Sequence, residues 1–153
     1  MKEIFAHENP ESDSEISIFL AGPSPRGKDD YNWREKALNY MREKNFSGDA
    51  YVPLPRDGNW LADYDAQVDW ELKYLNKAKI IAFWMPRDLI YLPGFTSNVE
   101  FGMFLKSGKI VLGYPVNAER MRYLHYVANI NNIPVFNTME KTLDCAMGLS
   151  SKN

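Results

Sequence analysis

The sequence has few of the residues that build covalent cross-links or metal sites. It contains one cysteine and two histidines among its 153 residues. A single cysteine, Cys145, excludes a disulfide within the chain, and so few cysteines and histidines exclude a structural zinc site of the Cys/His type. We therefore expect a fold held together by its apolar core, in a reducing, cytoplasmic setting.

Long apolar runs and an excess of basic charge are also missing. No apolar stretch approaches the roughly 18 residues of a membrane span, and residues 1–15 lack the apolar run of a secretory signal. The formal net charge of -2 offers no general attraction to nucleic acid or anionic lipid. We expect neither a nucleic acid polymer nor a membrane as partner.

What is present is the composition of a globular domain. Hydrophobic residues make up 45% of the chain and charged residues 25%, a balance typical of folded proteins. The length is that of one ordinary domain. We expect an amino-terminal arm over residues 1–15 and a single α/β domain over residues 16–150.

Short apolar runs alternate with amphipathic segments along the chain. This alternation predicts a doubly wound sheet of about five mostly parallel strands with helices on both faces, and a ligand site at the carboxyl ends of the strands. An extra edge strand at residues 2–7 is an open alternative. The predicted strands are residues 16–21, 50–53, 80–85, 109–114 and 134–136, and the predicted helices are residues 31–44, 62–76, 99–106, 118–129 and 139–147.

Glu100 is a candidate nucleophile at the start of the predicted helix over residues 99–106. Unpaired backbone N–H groups and the helix dipole at such a position favour the ionised carboxylate that a nucleophile needs. Ser97 and Glu100 also match the S-x-x-E capping box, in which the glutamate only caps the helix. Taken by itself, this segment favours a capping role for Glu100 over a nucleophilic one.

Two acidic residues on the preceding predicted helix are candidates for a general acid. Asp69 and Glu71 flank Trp70, and residues two apart do not share a helix face, so at most one of them points into a site. A carboxyl group near a second carboxylate in a partly buried cleft has a raised pKa and can donate a proton. The alternative is a solvated acidic face.

The turn after the first strand is rich in small and polar residues. Gly22, Pro23 and Ser24 are followed by Arg26, and such a turn suits a ribose hydroxyl or a phosphate. An ordinary turn is the alternative. Trp60, in the Pro/Gly-rich loop over residues 54–60, has a flat face that can stack on a nucleobase.

Taken in order, five stretches of the chain resemble the nucleoside 2-deoxyribosyltransferase-like family. They are IFLAGPSPRG at residues 18–27, NWREKAL at 32–38, YVPLP at 51–55, VDWELKYLNKAKIIAFWMP at 68–86 and TSNVEFG at 96–102. The resemblance implies a flavodoxin-like sheet and places Thr96 and Ser97 in the substrate site.

The resemblance also implies a chemistry. The carboxylate of Glu100 attacks C1′ of a 2′-deoxynucleoside, and the base leaves with a proton from Glu71, with Asp69 as the alternative. A second base or water then captures the glycosyl-enzyme. This mechanism needs no metal or organic cofactor. We also expect a homo-oligomer, either a dimer or an assembly of dimers, because sites in this fold commonly lie at subunit contacts.

Two other functions remain open. The turn that contains Ser24 and Arg26 is also similar to the phosphate-binding turn of 2′-deoxynucleoside 5′-monophosphate N-glycosidases, which are hydrolases. The chain could instead be a module that binds a nucleotide without turning it over. Gly94 stands where typical transferases of the family carry an aspartate, so recognition of the base must differ here.

Overall fold

The computed structural model describes residues 1–10, 12, 14–25, 32–60 and 63–152. Within these residues, six strands form one sheet that is packed between five helices. The strands are β1 (Lys2–Phe5), β2 (Ser17–Ala21), β3 (Asp49–Val52), β4 (Ile80–Trp84), β5 (Ile110–Gly113) and β6 (Val135–Phe136). The helices are α1 (Trp33–Glu43), α2 (Tyr64–Lys77), α3 (Phe95–Phe104), α4 (Arg122–Ile130) and α5 (Met139–Ser150).

The sheet has the order β1-β3-β2-β4-β5-β6, and every pair of neighbouring strands is parallel. The predicted α/β fold with a doubly wound, flavodoxin-like sheet is confirmed. The sixth strand is β1, the open alternative of the sequence analysis. It pairs with β3 from Lys2↔Asp49 to Phe5↔Val52 and forms one edge of the sheet.

The core consists of two apolar layers, one on each face of the sheet. Successive side chains of a strand point to opposite faces, so Phe19 packs with α2, α3 and α4, whereas Ile18 and Leu20 pack with α1 and α5. Strands β2 to β5 are buried on both faces, which is why they appear in the sequence as nearly continuous apolar runs. Among the described residues, no helix has the length and apolar character needed to cross a membrane.

The sheet reverses its strand order at β2, which lies between β3 and β4. The chain leaves β2 toward one side of the sheet and leaves β4 toward the other, so a crevice forms at their carboxyl ends. Gly22, which follows β2, has a φ of 145°. A Cβ atom there would lie 2.1 Å from the carbonyl oxygen of Trp84. Only glycine therefore allows the ends of β2 and β4 to approach so closely.

Replacing Gly22 tests this close approach. We expect Gly22→Ala to lower the free energy of unfolding by more than about 2 kcal/mol, because the backbone must shift and the φ is unfavourable for alanine. Gly148 is the matched control, since it lies within α5 and a Cβ there meets no atom within 4 Å. Gly148→Ala should raise stability by about 0.5–1 kcal/mol. Equal urea midpoints for Gly22→Ala and wild type would contradict the prediction.

Candidate active site

A cleft of about 280 Å³ opens at the carboxyl edge of the sheet, beside β2 and β4. This volume is close to the lower limit of about 300 Å³ for small-molecule sites. The cleft is lined by the turn after β2 and by residues of α1, α2 and α3. Eight residues that the sequence analysis singled out line it, namely Gly22, Pro23, Ser24, Trp60, Glu71, Thr96, Ser97 and Glu100.

The guanidinium of Arg34 holds the turn after β2 in place. This side chain is only 1% exposed. Its Nε donates to the carbonyl oxygen of Leu20 at 3.0 Å, and its terminal nitrogens donate to the carbonyl oxygens of Gly22 at 2.6 Å and Pro23 at 3.2 Å. A further contact of 3.3 Å reaches Oγ of Ser24. The guanidinium therefore acts as a rigid template for the backbone that borders the cleft.

Arg34 is a site residue that the sequence analysis did not single out. It lies second in α1, directly after Trp33, whose Nε1 donates to the same Pro23 carbonyl at 3.0 Å. The guanidinium carbon also lies 4.5 Å from the centroid of the Trp33 ring. A charged residue in an amphipathic helix is normally read as solvent-exposed. The one available signal was the Trp-Arg pair within the stretch NWREKAL.

Glu100 lies farther into its helix than the sequence indicated. Helix α3 begins at Phe95, and its amino-terminal cap is Gly94, which has a φ of 63° and makes no side-chain capping bond. Ser97 is therefore a buried residue inside the helix, and Glu100 belongs to the second turn. The predicted capping box is wrong, because the left-handed Gly94 starts the helix four residues before Val99.

Glu100 faces Glu71 across the cleft floor. Glu100 is 8% exposed, and its carboxyl group lies within hydrogen-bonding reach of that of Glu71. The pKa of Glu100 is raised to about 8, mainly by burial and also by the charge of Glu71, whereas the Arg34 guanidinium opposes this rise. The expectation that the helix terminus keeps Glu100 ionised is therefore wrong, since Glu100 lies beyond the unpaired N–H groups of the first turn.

The pKa of Glu71 is raised, as that of Glu100 is. Burial raises its pKa, while a hydrogen bond from Gln67 and the charge of Arg34 oppose the rise. The donated bond runs from Nε2 of Gln67 to Oε1 of Glu71 at 2.6 Å. Two interacting carboxyl groups with raised pKa values titrate as a pair. The charge of one carboxylate opposes ionisation of the other, which favours a state in which the pair shares one proton.

Asp69, the alternative to Glu71, points elsewhere. It is exposed and does not line the cleft. The intervening Trp70 is buried, and its Nε1 donates to the carbonyl oxygen of Glu8 at 2.9 Å. Helix α2 thus brings only Glu71 of this pair to Glu100.

Aromatic side chains stand at the mouth of the cleft. Trp60, the candidate stacking residue of the loop over residues 54–60, lines it and is 51% exposed. Tyr64 and Phe95 also line it and are exposed, although the sequence analysis did not select them. Arg26, the predicted phosphate contact, lies outside the described residues. In the parts of the chain that the structure describes, no three His, Cys, Asp or Glu residues are grouped so that they could hold a metal ion.

Comparison with known proteins agrees with this geometry. A family model described as nucleoside 2-deoxyribosyltransferase like matches residues 15–117. The match begins after β1, ends shortly after β5, and includes every residue that lines the cleft. No curated protein matches the chain.

The raised pKa of Glu100 makes stability depend on pH in a defined direction. Between the ordinary value of 4.5 and about 8, the folded protein keeps a proton that the unfolded chain releases. The free energy of unfolding should therefore fall as pH rises through this window, by at most about 1.4 kcal/mol per pH unit. Urea unfolding of Glu100→Gln should show a flatter dependence, whereas Glu43→Gln, at an exposed position of α1, should resemble wild type. An equally steep fall in Glu100→Gln would contradict the assignment.

Proposed function

Because this chain belongs to the nucleoside 2-deoxyribosyltransferase-like family, we propose that it cleaves the N-glycosidic bond of a 2′-deoxynucleoside and transfers the deoxyribosyl group to another base. The observation that carries the proposal is a pair of carboxyl groups that face each other in the cleft within hydrogen-bonding reach, on Glu100, which is buried, and on Glu71, which is half-buried. Such a pair can supply both the nucleophile and the proton that glycosidic cleavage requires.

The first half of the reaction uses the proton that the pair holds. When this proton lies on Glu71, Glu100 is a carboxylate and can attack C1′ of the sugar. The bond between C1′ and the base breaks, its electron pair stays on the base nitrogen, and that nitrogen takes the proton from Glu71. The products of this half are a neutral base and a deoxyribosyl ester of Glu100.

The second half reverses the same movements with a different base. Glu71, now a carboxylate, removes a proton from a ring nitrogen of the incoming base. That nitrogen attacks C1′, and Glu100 leaves as a carboxylate. If water takes the place of the second base, the product is free deoxyribose and the reaction is a hydrolysis.

The remaining cleft residues suit binding rather than bond breaking. Arg34 opposes the rise of both carboxyl pKa values and therefore favours an ionised member of the pair. The turn that Arg34 fixes presents Ser24 beside the cleft, where a sugar hydroxyl can bind. The flat rings of Trp60 and Phe95 at the mouth can stack on a base.

The test is a chromatographic assay of base release and base exchange. Wild-type protein, Glu100→Gln and Glu71→Gln are incubated with a panel of 2′-deoxynucleosides and their 5′-monophosphates, with and without a second base. We expect exchange by wild type and a loss of more than about 1000-fold in Glu100→Gln. Glu71→Gln should lose at least about 100-fold, and less with a base that leaves without protonation. Mass spectrometry of acid-quenched wild type should find deoxyribosyl on the peptide that contains Glu100.

The matched control for Glu71→Gln is Asp69→Asn, an exposed change two residues away on the same helix. It should retain nearly wild-type rates. Release without exchange would replace the transferase by a hydrolase, and cleavage of 5′-monophosphates alone would identify a nucleotide N-glycosidase. Tight binding without turnover, unchanged in Glu100→Gln, would replace both by a binding module.

We also propose that the protein forms a homo-oligomer through α3. One outer face of α3, the helix that carries Glu100, presents Phe95, Val99 and Met103 at successive turns, with exposures of 57% to 68%. Exposed apolar stripes of this kind mark contact surfaces, and this stripe continues into the cleft through Phe95. A second copy of the chain is the occupant that we propose.

Light scattering during size-exclusion chromatography tests this contact. Met103→Glu should lower the measured mass relative to wild type, because it places a charge in the apolar interface. Val116→Glu is the control, since Val116 is 85% exposed and lies outside α3. A monomeric wild type, or a mass that falls only in Val116→Glu, would refute the α3 contact.

A further inference from the structure

Gln67 lies on the face of α2 that borders the cleft. Four residues of this helix line the cleft, and they recur at the spacing of three and four residues that places side chains on one helix face, namely Tyr64, Gln67, Val68 and Glu71. Gln67 is only 6% exposed and is more deeply buried than the other three. It is therefore a polar group built into the wall of the cleft and not a solvated side chain.

A hydrogen bond joins the side-chain amide of Gln67 to the carboxyl group of Glu71. Nε2 of Gln67 donates to Oε1 of Glu71 at 2.6 Å, one helical turn away. In a neutral carboxyl group, the carbonyl oxygen is a stronger acceptor than the hydroxyl oxygen, which carries the proton. The donated bond therefore favours the neutral form of Glu71 in which Oε1 is the carbonyl oxygen and the proton lies on Oε2.

The other polar atom of this amide lacks a partner. Oε1 of Gln67 is buried and has no hydrogen-bond partner among the described residues. A buried acceptor without a partner is costly, so such an atom in a native fold needs an explanation. The reverse orientation of the amide would place Oε1 against a carboxylate oxygen, which can only accept. The bond to Glu71 therefore decides which way the amide points and accounts for the unpartnered oxygen.

The charged and titratable groups that act on Glu71 come from other elements of the fold. Arg34 of α1 and Glu100 of α3 line the cleft with it, and His7, after β1, makes a smaller contribution. Among all groups that oppose the raised pKa of Glu71, the hydrogen bond from Gln67 has the largest effect, ahead of the charge of Arg34. Gln67 therefore stabilises the carboxylate form of Glu71 through a direct contact.

We propose that Gln67 is a positioning residue for Glu71, which keeps the transferable proton on Oε2 and stabilises the carboxylate that remains after this proton passes to the departing base. This inference rests on the proposed function. The proton moves from Oε2 to the base nitrogen as the bond between C1′ and that nitrogen breaks, and Gln67 itself neither gives up nor takes up a proton. In the second half of the reaction, the same bond leaves Oε2 as the oxygen that accepts the proton of the incoming base.

The experiment compares Gln67→Met with wild type, because methionine has a similar length but no donor. Without the donated bond, Glu71 holds its proton to higher pH, so the kcat/KM profile should move to higher pH by about one unit. We expect kcat to fall at least about 10-fold, and less with a base that leaves without protonation. KM should change little, because Nε2 is engaged with Glu71 and Oε1 is buried. Gln67→Leu, a second variant without the donor, should behave alike.

Tyr74→Phe is the control for a merely structural effect. It removes hydrogen bonds from the same helix, including the 3.1 Å bond to Oδ1 of Asn9, and leaves the amide of Gln67 in place. Its pH profile should match wild type even if its urea midpoint falls. If Tyr74→Phe shifts the profile as Gln67→Met does, Gln67 only supports α2 and the inference is overturned.

A carbon-13 NMR titration of the Glu71 carboxyl provides a readout that needs no turnover. The pKa of Glu71 should rise in Gln67→Met and stay unchanged in Tyr74→Phe. If wild type turns over no substrate of the panel but this titration shifts, the proposed reaction fails and the action of Gln67 on Glu71 stands. If wild type is active and neither the titration nor the pH profile moves in Gln67→Met, the inference about Gln67 fails and the proposed reaction stands.

Discussion

The buried guanidinium of Arg34 is the element on which the rest of the site depends. An isolated cation in the protein interior costs several kcal/mol, and burial lowers the pKa of this one to about 10. Three carbonyl oxygens at the end of β2 satisfy its N–H groups, and the charges of Glu100 and Glu71 offset its desolvation. The charge of Arg34 in turn offsets part of the desolvation free energy of those carboxylates. The three side chains therefore form one electrostatic unit, in which removing any member leaves the others unbalanced.

Much of the architecture could be predicted from local patterns. The strands between the two layers of helices are apolar at nearly every position, so runs such as IIAFW can be recognised in the sequence. The strands and helices that carry the cleft follow from these runs and from the rule that parallel strands place their carboxyl ends together. Glu71 could be separated from Asp69 only by knowing which face of α2 is buried. That choice depends on the packing of Trp70 against Phe19 of β2 and of Tyr74 against Tyr51 of β3, which no local pattern contains.

The start of α3 and the protonation of Glu100 could not be predicted for a related reason. The stretch from Gly94 to Ser97 reads as a loop, because glycine, threonine and serine are weak helix formers. Tertiary contacts override this preference, since Gly94 packs against Pro23 of the turn that Arg34 holds. Because α3 begins at Phe95 and not at residue 99, Glu100 lies one turn farther from the helix terminus than predicted. At that position it is buried and faces Glu71. The sequence indicates Glu71 and Glu100 but not Arg34, and the charge states of all three arise from neighbours that are distant along the chain.

The pairing of Glu71 with Glu100 has a consequence for the whole cycle of the proposed reaction. In the proposed reaction, the proton that leaves with the first base is replaced by the proton that the second base brings. The protein thus returns to its starting charge after each round, and no proton has to enter from or escape to bulk water. Water is therefore not needed as a carrier of protons at any step of the transfer. Shielding the sugar ester from water is then the condition under which transfer prevails over hydrolysis.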